Sequence, residues 1–207
     1  MQNLIEYLKK FNSKERFFLA GQILGNRDFT LDPGFRQKLS DLLQIQIPVD
    51  ALSAMDYHID WLYASLSLAK DEDLTKVYPN EHNIIKGQQE DIDWLIAFRG
   101  QDSYHLILIE AKGVTRWTDK QTTSKAKRLS EIFGKQGTNW EDVMPHFVIM
   151  SPAKYNSQSV EKFPEWMAPN GEVKWLELST PELLRVSRCD EQGHENKEGR
   201  WWKVKIR

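Results

Sequence analysis

The chain has 207 residues, 40% of them apolar and 11% aromatic, and its 28 Lys and Arg against 30 Asp and Glu leave a net charge of −2. That length can bury one real core, and the near-neutral charge excludes a global attraction for nucleic acid, so any such affinity must come from a local patch. The lone Cys189 excludes an intramolecular disulfide, no Cys/His cluster offers zinc ligands, and the amphipathic N-terminus contains no apolar run of signal-peptide or membrane-spanning length. The expectation is a cytoplasmic protein with no membrane partner.

From residue 1 to about 70 the apolar period is helical. Leu4, Ile5 and Leu8 open it, and Phe17, Phe18, Ile23 and Leu24 continue it behind an Asn12 cap with Glu15 three residues on. Gly25 ends that helix. A second helix is predicted over Phe35 to Ile45, followed by Pro48 at a first helical turn. The longest is predicted over residues 50–70, with Leu52, Met55, Ile59, Leu62 and Leu66 as its core stripe and Asp56 and Asp60 four apart on a neighbouring face.

A polar break, "DEDLTKVYPNEHN", leads into a β-rich centre. A short strand is predicted at Ile84 and Ile85, a longer one over Asp91 to Phe98, a turn at "RGQDS" and a third strand over Tyr104 to Lys112. Residues 118–133 read as a helix ended by Gly134, and "HFVIMSP" as a buried strand ended by Pro152. "VKWLEL" reads as a further strand, and "PELLRVSRCD" with "RWWKVKIR" as a terminal hairpin. With no repeat and no composition break, residues 1–207 form one domain. Residues 1–47 are its N-terminal helical extension, 48–152 the core and 153–207 a C-terminal extension of the sheet.

Three Glu-x-Lys triplets occur, at Glu110, Glu172 and Glu195, and only the first ends an apolar strand that follows another strand opened by acids. Alternation puts Glu110 and Lys112 on one face with Leu106 and Leu108. An antiparallel hairpin closed around residues 99–103 brings residue 93 near 109–111, so Asp93 and Glu110 can meet. Converging carboxylates repel unless they share a proton or a divalent cation. Mg²⁺ or Mn²⁺ suits such hard oxygen ligands, and Lys112 is placed to hold water and neutralise a phosphate. A solvated ion pair at the end of a strand would give the same residues.

The arrangement resembles the PD-(D/E)xK nuclease superfamily, through Asp93 in "DIDWLIAF" and Glu110 and Lys112 in "LILIEAKG", with a helix before and a helix after. The resemblance covers residues 50–152 and implies an α/β fold with a restriction-endonuclease-like α-β-β-β-α-β core and a mixed central sheet. It implies a divalent-metal-dependent nuclease, expected to act on DNA, with the ion held by Asp93, Glu110 and the Ala111 carbonyl and with Lys112 at the water. Ile92 stands where the family's proline would be, and Asp91 is a rival ligand. The resemblance also makes Asp60 or Asp56 a candidate acid from the first core helix, and Gln121 a candidate glutamine beyond the Glu-x-Lys. Between Lys112 and Lys135 seven cations face two acids, which nominates Arg116, Lys120, Lys125, Lys127 and Arg128 as phosphate contacts. The alternative is an inactive nucleic-acid- or protein-binding module on the same fold. A homodimer is compatible with either, and the five histidines, which show no metal spacing, receive no role.

Overall fold

The computed structural model describes the backbone of residues 1–80, 82–87, 90–113, 119–154 and 158–206, and the side chains of all of these except 119–122 and 158–159. Helices α1 (Leu4–Phe11), α2 (Glu15–Ile23) and α3 (Pro33–Leu43) come first. The sequence favours the third strongly: Pro33 occupies the first turn and the Asp32 carboxylate accepts the Phe35 N–H at 2.8 Å. At α2 the helix starts at Glu15 behind Lys14, and the Asn12 side chain accepts the Lys14 N–H instead of capping the helix.

The centre is a five-stranded sheet in the order β1-β2-β3-β4-β5, built from β1 (Leu52–His58), β2 (Asp91–Arg99), β3 (Tyr104–Ala111), β4 (Val143–Ser151) and β5 (Lys174–Glu177). Strands β1, β2 and β3 form an antiparallel meander, and β4 and β5 continue it in parallel. Helix α4 (Ile59–Asp71) connects β1 to β2, and α5 (Asp119–Phe133) connects β3 to β4. The central strands bury both faces, which is why "WLIAF" and "LILI" are continuous apolar runs and not alternating ones. One face carries Leu95, Ala97, Leu106 and Leu108 against α1, α4 and α5; the other carries Ile96, Ile107, Ile109 and Val148 against α3. Among the described residues no helix is long and apolar enough to cross a membrane.

The structure corrects the helix expected over 50–70. Residues 52–58 form β1 and pair with β2 from Leu52↔Ala97 to His58↔Asp91, so only residues 59–71 are helical. Leu52 and Met55 fit a helical stripe, but a seven-residue segment satisfies either period, and the ladder to β2 outweighs the local preference. The observed order is therefore β1-α4-β2-β3-α5-β4, with a helix inserted inside the meander. Ile84 and Ile85 are not a strand: the Asn80 side chain binds the N–H and carbonyl of Ile85. The hairpin β6 (Leu184–Cys189) and β7 (Trp201–Ile206) forms as expected, but as its own two-stranded sheet and not as an extension of the central one.

Helix α5 positions the basic residues discussed below and ends at Gly134, whose φ is +80°. A Cβ there would lie 2.5 Å from the Asn139 side-chain oxygen. Gly134→Ala is expected to destabilise the fold by about 1–2 kcal/mol, read as a lower urea midpoint. An unchanged midpoint would show that the turn relaxes freely.

Candidate functional site

The ladder between β2 and β3 closes at Trp94↔Ile109, and one further step of the register sets Asp93 opposite Glu110. On its other side β3 stays paired: Glu110 faces Ile149 of β4, and the Lys112 N–H donates to the Met150 carbonyl at 2.9 Å. The two acids therefore lie where β2 leaves a strand that β4 still holds. The Asp93 side chain takes over one of the missing ladder bonds: its Oδ2 accepts the Ala111 N–H at 2.7 Å.

Glu110 is 5% exposed, and its pKa is pushed up from 4.5 to about 7, mainly by burial; the charge of Asp93 adds to the rise and Lys125 opposes it. The Lys125 ammonium sits 2.5 Å from Glu110 Oε1 and also donates to the Asp91 carbonyl. Helix α5 lies over the same sheet face as Leu106 and Leu108, which is how Lys125 reaches this carboxylate. The sequence reading made Lys125 a phosphate contact; the structure makes it the counter-ion of Glu110.

Asp91 is held apart from this pair. Its carboxylate meets Lys14 Nζ at 2.8 Å and His58 Nδ1 at 3.3 Å, which fits an electrostatic anchor between the N-terminal segment, β1 and β2. Burial lowers the pKa of His58 despite Asp91, so its imidazole is neutral near pH 7. Asp60 accepts the backbone N–H groups of Lys86 and Gly87 and pairs with Arg128, while Asp56 meets Arg16 at 3.0 Å. Neither secondary acid is directed at Asp93 and Glu110 by these contacts.

Arg128 corrects the sequence reading most clearly. It is 1% exposed, and its guanidinium donates to Asp60, to Glu90 at 3.4 Å and to the Ile84 carbonyl at 2.8 Å. A side chain so enclosed cannot meet a phosphate without opening the core. Lys127 is exposed on α5. Arg116 lies outside the described residues, as do the side chains of Lys120 and Gln121. Sequence reasoning missed Lys14 and Glu90 as ion-pair partners and the neutral His58 beside Asp91, because long-range contacts leave no local spacing to read.

The donor set at Asp93 and Glu110 suits a hard divalent cation in chemistry, since each carboxylate keeps acceptor capacity beyond its contact with the Ala111 N–H or with Lys125. An ammonium already neutralises Glu110, however, so a cation has to share or displace Lys125. Among the described residues no group of three or more His, Cys, Asp or Glu is arranged to hold a metal. No family model, curated protein or solved structure matches the chain.

Proposed function

We propose that the chain is a divalent-metal-dependent nuclease with a restriction-endonuclease-like core, hydrolysing phosphodiester bonds in DNA. The observation that carries this reading is the apposition of Asp93 and Glu110 at the diverging ends of β2 and β3, two residues before Lys112. Asp93, Glu110 and the Ala111 carbonyl would hold Mg²⁺ or Mn²⁺. The ion supplies an acidified water and neutralises charge on the scissile phosphate. Lys112 orients the attacking water, and Lys125 gives Glu110 a positive neighbour that keeps its carboxylate available near neutral pH. The exposed Lys127 offers a sequence-independent phosphate contact.

The Lys125–Glu110 ion pair favours a second reading, in which the same fold binds nucleic acid or protein without cleaving. Cleavage of single-stranded, duplex and branched DNA and of RNA with Mn²⁺ or Mg²⁺ separates the two. The wild type is expected to cleave, and Lys112→Ala to lose on the order of 10²-fold or more in rate. Equal cleavage by both proteins would assign the activity to a contaminant. Absence of calorimetric Mn²⁺ binding in the wild type, with no change in Asp93→Ala, removes the metal centre altogether.

A further inference from the structure

We propose that His105, His146 and Met144 form a second metal site, which takes Cu⁺ at the end of the central sheet remote from Asp93 and Glu110. Five strand residues, about 17 Å, separate His105 from Glu110 along β3. The register brings the three side chains to one face, because His105 pairs with Met144, Ile107 pairs with His146, and side chains two apart on a strand point the same way. His105 Nδ1 meets His146 Nε2 at 3.0 Å. The ring planes lie within 14° of each other and the centroids are 5.3 Å apart. That separation exceeds the distance between the nitrogens by two ring radii, so the rings meet edge to edge and the nitrogens face each other along one line.

Two imidazoles meet in this way through one shared proton or one shared cation. The surroundings hold the His105 ring in place: Phe98 stacks on it at 4.9 Å, and Gly100 leaves room where a Cβ would come within 2.9 Å of Nε2. Burial lowers the pKa of both histidines, His146 to about 4, so near pH 7 the rings are neutral and their nitrogens offer lone pairs. When an ion enters, the bridging proton moves to the other nitrogen of its own ring, and no proton is released overall. With metal–nitrogen bonds of about 2 Å, the facing nitrogens must part by about 1 Å, and neither ring has to turn. Donors opposed along one line suit d¹⁰ Cu⁺, which accepts two ligands at 180°, better than tetrahedral Zn²⁺ or octahedral Mg²⁺. Met144 adds a soft third donor. It is 49% exposed and shares with His105 an open cleft beside Gln46 and Pro48, where its flexible thioether can close over the ion.

Competition for Cu⁺ against the chelator bicinchoninate, under anaerobic reducing conditions, tests this on the full chain. The wild type is expected to withdraw one equivalent, and in its NMR spectrum the ring signals of His105 and His146 should move while those of His58, His82 and His194 stay. His146→Phe is expected to weaken binding by at least about 100-fold, and Met144→Leu, at an exposed position, by roughly tenfold. Cys189→Ala removes the buried thiol, a rival soft ligand, and should bind like the wild type. A wild type that takes up no Cu⁺, or wild-type affinity in either His146→Phe or Met144→Leu, overturns the proposal. So does loss of binding in Cys189→Ala, which would identify the thiol as the ligand, or movement of the other histidine signals instead. Asp93→Ala is expected to bind Cu⁺ unchanged, so the result stands apart from the nuclease reading.

Discussion

Arg128→Met is expected to destabilise the fold by roughly 3–5 kcal/mol, seen as a large fall in the urea midpoint at an unchanged m-value. The guanidinium joins three segments that are distant in sequence: Asp60 on α4, the Ile84 carbonyl in the connection and Glu90 just before β2. Removing it leaves a largely buried carboxylate and a carbonyl without their donor, which is far more unfavourable than the loss of a surface pair. Asp60 retains the Lys86 and Gly87 N–H groups, so the loss should fall short of complete unfolding. Adding Asp60→Asn to Arg128→Met is expected to recover part of the loss, because it removes the uncompensated charge. If Arg128→Met instead kept its stability and lost nucleic-acid affinity, the residue would be a phosphate contact after all.

Glu110 should make the metal-free protein less stable as the pH rises. Its carboxyl titrates near 7 in the folded chain and near 4.5 when exposed. Between those values the unfolded chain releases a proton that the folded chain retains. The contribution is complete below about 4.5 and is lost as pH climbs to 7, in total by roughly 3 kcal/mol. His58, His105 and His146 have lowered pKa values and act in the opposite direction, since acid charges them more readily in the unfolded chain. The difference between wild type and Glu110→Gln isolates the glutamate: the variant should gain relative stability as pH is raised from about 5 to about 8. A flat difference curve would mean that Glu110 stays ionised throughout. A divalent cation requires the carboxylate, so Mn²⁺ affinity should climb about tenfold per pH unit below 7 and level off above it.

Strands β2 and β3 were legible because an apolar run bounded by acids and a turn has few alternatives. The register that places Asp93 opposite Glu110 follows from the hairpin length, and α5 was bounded correctly by Gly134. Strand β1 was misread because Leu52 and Met55 fit a helical stripe as well as a ladder. Only the edge of β2, nearly forty residues further on, selects between them. The basic run after Lys112 was legible as charge but not as geometry. One helical face turns Lys125 and Arg128 inward, while Lys127 points out.

The sequence by itself determined local quantities: which segments are apolar, where turns must fall and which two carboxylates a short hairpin can oppose. Tertiary structure decided the partners of the charges. Lys125 belongs to Glu110, Arg128 to Asp60, and Asp91 to Lys14 and His58, across separations of 15, 68, 77 and 33 residues respectively. The physical reason is the range of the forces. Periodicity and turn chemistry act over a few residues, whereas a buried charge must find its counter-ion wherever packing brings one, and no spacing in the chain records that meeting.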